Sequence, residues 1–132
     1  MGNEIYESGE DYLETILRLK KQLGQVRSID IARDLDYSKP SVSRAMKILG
    51  EKGLVYMDGR KFIHLTDEGQ AKAESVASRH KLFKDMLTEI FGVSEEVAEE
   101  DACRIEHIVS EETVQKIKEK LDIYRQHPHP DM

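Results

Sequence analysis

Residues 38–65 read SKPSVSRAMKILGEKGLVYMDGRKFIHL, and this stretch decides the fold. Ser38 is a helix-capping residue, and Pro40 stands in the first turn, where its missing N–H costs nothing. Val42, Ala45, Met46 and Leu49 recur at helical spacing and form one apolar face. Pro40, Ser43, Arg44 and Lys47 lie on the opposite side, with Ser41 beside them. Gly53 is the usual left-handed stop. Two extended runs follow, Leu54 to Met57 and Lys61 to Leu65, joined through Asp58-Gly59, a strong hairpin signal.

Upstream, an apolar stripe of Leu13, Ile16, Leu17 and Leu23 predicts a helix over 9–23, started by a capping box of Ser8 and Asp11 and ended by Gly24. Ser28 is expected to cap a short helix over 29–35. Three helices, a short turn between the second and third, then a hairpin is the order of a winged helix-turn-helix. Downstream, Thr66, Ser94 and Ser110 are expected to cap helices over 67–91, 95–109 and 111–125. The fold class is therefore mainly α. The expected division is a DNA-binding domain over 1–66, a helical domain over 67–126 and a flexible tail over 127–132.

At 132 residues the chain is one domain or two small modules. No apolar run reaches the length of a transmembrane helix, and the N-terminus lacks the pattern of a secretion signal, so a cytoplasmic protein is expected. One cysteine, Cys103, excludes an internal disulfide framework and a four-cysteine zinc site. The net charge of −6 argues against nucleic acid, but the charge is uneven. Between Ser38 and Lys61 the balance is about +4, and from Gly69 onward about −5. A local basic face can meet phosphates even in an acidic chain.

The candidate DNA face comprises Ser38, Lys39, Pro40, Ser41, Ser43, Arg44 and Lys47, with Arg60 and Lys61 at the hairpin tip. Arg44 can bridge guanine O6 and N7, while the serines and the helix-end amides can meet phosphates. The plainer reading is a protein-interaction module with an exposed polar helix. The serine-rich helix start and the charged hairpin tip favour double-stranded DNA.

The second half holds a metal-ligand pattern. Cys103, Glu106 and His107, at spacings of three and four, share one face of an expected helix. Asp11 and Glu14 share a face of the first helix, and His80 lies in the long one. Thiolate, imidazole and carboxylate together suit a divalent transition metal better than Ca²⁺ or Mg²⁺. Each residue has a plainer reading: Cys103 as a small core residue, His80 as a satisfied core histidine, Asp11 as a cap. A zinc-protease pattern is absent, and no Gly-rich oxyanion turn accompanies Cys103, which counts against a hydrolase.

Five marks, Glu10-Asp-Tyr-x-Glu14, Lys39-Pro-Ser-Val-Ser-Arg44, Leu65-Thr-x-x-Gly69, Arg79-His80 and Cys103-Arg-Ile-Glu-His107, run through nearly the whole chain. By these the chain resembles the diphtheria-toxin-repressor family, whose smaller members include the manganese transport regulators. The resemblance implies a homodimeric, metal-activated transcription repressor, with a winged DNA-binding domain and a helical metal-binding and dimerisation domain. It also implies the short two-domain form, without the SH3-like domain of the larger members. Asp11, Glu14, His80, Glu106 and His107 match metal ligands of the manganese branch. At Cys103 that branch has a glutamate and the iron branch a cysteine. The iron branch has a methionine at Asp11, an acid at Lys84 and a histidine at Glu99. The donor set is thus a hybrid, and Mn²⁺ or Fe²⁺ is the expected cofactor, with Co²⁺ or Zn²⁺ able to substitute. Metal binding would tie helix 1 to the second half and set the spacing of two recognition helices on a palindromic operator. A regulator gated by a small organic ligand is the competing reading.

Overall fold

The computed structural model describes residues 7–127, with side chains from Gly9 onward. It divides into two compact units, Met1–Ser75 and Val76–Met132. Most of the expected tail, 128–132, lies outside the described residues.

The first unit contains α1 (Glu7–Leu23), α2 (Ser28–Leu35), α3 (Lys39–Glu51), β1 (Val55–Met57), β2 (Ile63–Leu65) and the start of α4 (Asp67–Asp85). α1 packs on α2, α3 and β2, while α3 packs on α2 and β1. Leu13, Ile16, Val26, Ile31, Val42, Leu49, Leu54 and Ile63 are buried in one apolar core. Burial of such side chains stabilises by about 1.5–3 kcal/mol each. Around it, Arg18 Nη1 bonds Asp34 Oδ1 at 3.1 Å, linking α1 to α2. That hydrogen bond holds the Asp34 carboxyl below its ordinary value.

Three expectations for this unit are corrected. α1 runs back through Ser8, so the helix does not start at the expected capping box. Leu23 does not join the apolar stripe: it ends α1 and is exposed, because the chain turns away at Gly24, whose φ is +84°. The cap of α2 is Arg27, not Ser28. The Arg27 backbone N–H donates to Asp30 Oδ2 at 2.9 Å, so the acid in the first turn satisfies the helix entry.

The hairpin is antiparallel, with Val55 opposite Leu65 and Met57 opposite Ile63. Val55 and Ile63 face the core, and the alternation puts Tyr56 and His64 on the other face, where their rings stack at 5.0 Å. The strands are shorter than expected, because residues 58–62 form the turn. Its left-handed residue is Lys61 (φ +68°), not Gly59. The Lys61 N–H donates to the Asp58 carbonyl at 3.0 Å, as in a tight turn followed by one left-handed residue.

Thr66 joins hairpin and α4. Its hydroxyl donates to the Gly53 carbonyl at 2.7 Å and accepts from the Gly69 N–H at 3.0 Å, while its own N–H donates to the Leu54 carbonyl at 3.1 Å. A Cβ on Gly69 would stand 1.9 Å from the Leu54 carbonyl oxygen, so the Leu65-Thr-x-x-Gly69 mark records a cap and a close backbone approach.

The second unit holds the rest of α4, a π-helical turn (Met86–Ile90), α5 (Glu95–Ile105) and α6 (Glu111–Gln126). Ser94 and Ser110 cap α5 and α6 as expected, accepting from the N–H groups of Val97 and Thr113. The π turn packs on α5 and α6. Arg125 of α6 bonds Glu89 at 2.7 Å and Asp85 at 2.9 Å, and these acids raise its pKa. α5 stops at Ile105, short of the expected 109: the Glu106 carbonyl accepts from Arg79 Nη1 at 3.2 Å, and the Ile108 N–H bonds back to the Ile105 carbonyl in a tighter turn. Among the described residues no helix is long and apolar enough to cross a membrane.

Gly69→Ala should lower stability by about 1–3 kcal/mol, the cost of forcing a methyl into a packed site. Gly59→Ala meets nothing within 4 Å and should change it by less than about 0.5 kcal/mol. Thermal unfolding of both variants checks the pair.

Candidate DNA-binding face and metal centre

In the first unit α3 is split as its sequence demands. Val42, Met46 and Leu49 are buried, with Ala45 partly so. Lys39, Pro40, Ser43, Arg44 and Lys47 are exposed, and Ser41 is half-buried. Ser38 is engaged in the cap: its Oγ accepts from the Ser41 N–H at 3.2 Å and donates to Ser41 Oγ at 2.8 Å. The open face of α3 therefore offers one guanidinium, two ammonium groups and the Ser43 hydroxyl. Arg60 and Lys61 are exposed at the hairpin tip. Asp11 and Glu14 sit three residues apart on α1, both half-buried.

The second unit gathers the other donors around Glu106, which has 0% exposure. Glu106 Oε2 lies 2.8 Å from His80 Nδ1. Glu106 Oε1 is buried with no hydrogen-bond partner among the described residues, and the His107 Nε2 atom stands 3.4 Å away. The His107 side chain is itself almost fully buried. A Cys103 Sγ and a Glu106 carboxylate oxygen lie within 4.8 Å of each other. Cys103 is exposed, so it does not serve as a small core residue. Glu106 caps α5 and His107 lies beyond it, so the three donors meet at a helix end and not along one helical face.

Two residues outside the expected site support it. Glu99 Oε2 lies 2.6 Å from His80 Nε2, and Lys84 Nζ lies 3.2 Å from Glu99 Oε1. Burial works to raise the Glu99 carboxyl, but the Lys84 hydrogen bond and His80 outweigh it and hold the group below its ordinary value. Glu99 on Nε2 fixes the ring orientation, and Nδ1, beside Glu106, is the nitrogen that an ion shared with Glu106 would take. Arg79 carries the turn after α5, bonding the Glu106 carbonyl and pairing with Glu111. The sequence signal for Glu99 is its position one turn before Cys103, and for Arg79 its place beside His80.

A buried carboxylate oxygen without a donor costs several kcal/mol, and a cation removes that cost. Carboxylate, imidazoles and a thiol are a donor set for a divalent transition metal, so these residues fit such an ion.

Known proteins carry both halves. The sequence model described as "Iron dependent repressor, N-terminal DNA binding domain" matches residues 4–63. The one described as "Iron dependent repressor, metal binding and dimerisation domain" matches residues 66–132. The transcriptional regulator MntR of Escherichia coli O157:H7 is 38% identical over 105 residues, covering 80% of this chain and 67% of MntR. The iron-dependent repressor IdeR of Mycobacterium tuberculosis (strain ATCC 25618 / H37Rv) is 32% identical over 120 residues, covering 91% of this chain and 52% of IdeR. A solved structure described as a manganese-dependent transcriptional repressor in complex with manganese superposes with a TM-score of 0.78 at 28% identity, covering 86% of this chain and 52% of that one. The chain thus spans about half the length of IdeR and of that structure.

A winged helix-turn-helix joined to a helical metal-binding and dimerisation domain defines a DNA-binding regulator, not an enzyme. The chain belongs to the iron-dependent repressor family of metal-dependent transcription regulators.

Removing one charge from the cluster should separate folding from metal binding. Metal at about a hundred times its Kd should stabilise the parent protein by about 2.7 kcal/mol. Glu106→Gln should fold without metal, yet show none of this gain in a thermal melt. An equal gain in the variant would place the ion elsewhere.

Proposed function

We propose that this chain is a metal-activated repressor of metal-uptake genes, acting in the cytoplasm as a homodimer on palindromic operator DNA when loaded with Mn²⁺ or Fe²⁺. The observation that carries this reading is Glu106, a fully buried carboxylate with one oxygen on His80 and the other lacking a hydrogen bond. The DNA-binding domain is assigned to 1–66 and the metal-binding and dimerisation domain to 67–126.

The metal ligands are His80, Cys103, Glu106 and His107, with Asp11 and Glu14 as the ligands that α1 would bring. A bound divalent ion supplies positive charge that offsets the mutual repulsion of these carboxylates. Glu106 and His107 are the buried ligands of the second unit, and Asp11 and Glu14 would be the ligands supplied by the helix that supports the DNA-binding core. Holding those acids selects one arrangement of the DNA-binding domain from a pre-existing set, which is how occupancy reaches the operator. The apolar side chains left exposed on the second unit, Phe91, Val97, Ile108 and Ile123, are the material for contact between copies. Leu121, by contrast, is buried within the chain.

On the DNA, Arg44 reads a base edge from α3, and Lys39, Pro40, Ser41, Ser43 and Lys47 settle the helix in the major groove with Ser38 as its cap. Arg60 and Lys61 meet phosphate from the wing. Arg44→Ala should cost about 1–3 kcal/mol and relax specificity at one base pair. Lys61→Ala should instead weaken all sequences alike and lower the salt slope by about 1. Binding assays on a selected operator, each at several salt concentrations, check both, and parent-like binding by both variants would remove the DNA face.

Cys103 sets the metal balance. Thiolate favours Fe²⁺, Co²⁺ and Zn²⁺ over Mn²⁺, while Asp11 and Glu14 keep the site open to Mn²⁺. Cys103→Glu should therefore move the activation ratio of Fe²⁺ to Mn²⁺ toward Mn²⁺, measured as operator affinity against free metal without oxygen. An unchanged ratio would mean that Cys103 is not a ligand.

A further inference from the structure

We infer that Asp58 is the positioning residue of the wing, fixing how Arg60 and Lys61 meet the DNA backbone, and that His64 makes this arrangement responsive to protonation. The inference rests on reading the first unit as DNA-binding.

One carboxylate organises the whole turn. Asp58 Oδ1 accepts from the Arg60 N–H at 2.8 Å and from the Phe62 N–H at 3.0 Å. Asp58 Oδ2 lies 2.7 Å from His64 Nε2, across the hairpin. The backbone adds the Lys61 N–H to the Asp58 carbonyl and the Asp58 N–H to the Phe62 carbonyl, both at 3.0 Å. Between these bonds Lys61 is held at a φ of +68°, a region in which a lysine is uncommon. A free five-residue tip would leave that region, and its two cations would sample many directions before meeting phosphate. Pre-ordering removes that entropic cost from binding.

His64 supplies the second half of the device. Its ring is stacked on Tyr56 and faces Asp58, whose carboxyl His64 holds below its ordinary value. Gaining a proton adds a cation beside the Asp58 carboxylate and on the wing that carries Arg60 and Lys61. The other charged groups of the hairpin are Arg60 and Lys61 in the same loop, with the Arg27 guanidinium 4.3 Å from the centre of the Phe62 ring. Asp58 is the anion in direct contact with the His64 ring.

The test uses the full chain saturated with Mn²⁺ and a mixed-sequence 30-base-pair duplex, because a phosphate contact does not depend on sequence. Asp58→Ala should weaken binding and lower the salt slope by about 1–2, one unit for each wing phosphate lost, while metal-induced stabilisation is kept. Asp58→Asn retains an oxygen for the two backbone N–H groups and should restore most of the affinity at pH 8. The ratio of parent to His64→Gln affinity should rise from pH 8 to pH 6, and it should not rise when both carry Asp58→Asn.

Parent-like affinity and slope in Asp58→Ala would overturn the inference. So would weaker binding at an unchanged slope together with a lower melting temperature, which marks a residue needed only for folding. If the Arg60→Ala and Lys61→Ala variants also keep the parent slope, the wing does not touch DNA, and it is the underlying reading of that surface that fails.

Discussion

Everything about the second unit turns on a carboxylate that water cannot reach. Glu106 is buried at the end of α5 with one oxygen on His80 and the other lacking a hydrogen bond. Such a group is tolerated in a protein only where something else compensates it. The surrounding contacts all brace this point. Arg79 takes the Glu106 carbonyl where the helix ends, and Glu99 with Lys84 steadies the far side of His80. The chain spends local stability to keep a charged site ready, as expected of a module whose second state requires a ligand.

The two units answer different physical demands. The first is an apolar core under a polar helix face, with few buried charges, and its job is to present α3 and the hairpin rigidly. The second buries small residues of α5, Ala98 and Ala102, and carries a buried acid with imidazoles beside it. Its remaining apolar side chains are exposed in notable numbers for so short a stretch, consistent with a domain whose family match includes dimerisation.

Much of this was legible in sequence wherever the cause is local. Ser38, Thr66, Ser94 and Ser110 each cap the helix that follows, because a hydroxyl and a backbone N–H three residues away need no distant partner. The apolar spacing of Val42, Met46 and Leu49 likewise gave the buried face of α3. What was missed or left open depends on distant contacts. At the early end of α5 the Glu106 carbonyl goes to Arg79, more than twenty residues upstream. Glu99 is drawn to the site by His80 and Lys84 across two helices. In the hairpin, Asp-Gly pointed to a turn, but the left-handed residue is Lys61, because Asp58 also bonds Phe62 and His64. The π-helical turn after α4 has no signal in the apolar pattern, since its spacing still suits a helix.

The join at Thr66 reaches beyond its geometry. A two-stranded hairpin by itself is at best marginal in water. Here β2 is held by the Ile63 N–H on the Val26 carbonyl, and the hairpin's base by three bonds through Thr66 to Gly53, Leu54 and Gly69. The wing therefore cannot fray alone: opening its base also uncaps α4 and exposes the Leu54 backbone against which Gly69 is seated. Hairpin and first turn of α4 thus form one cooperative opening unit, and their amides should exchange with solvent as a single block.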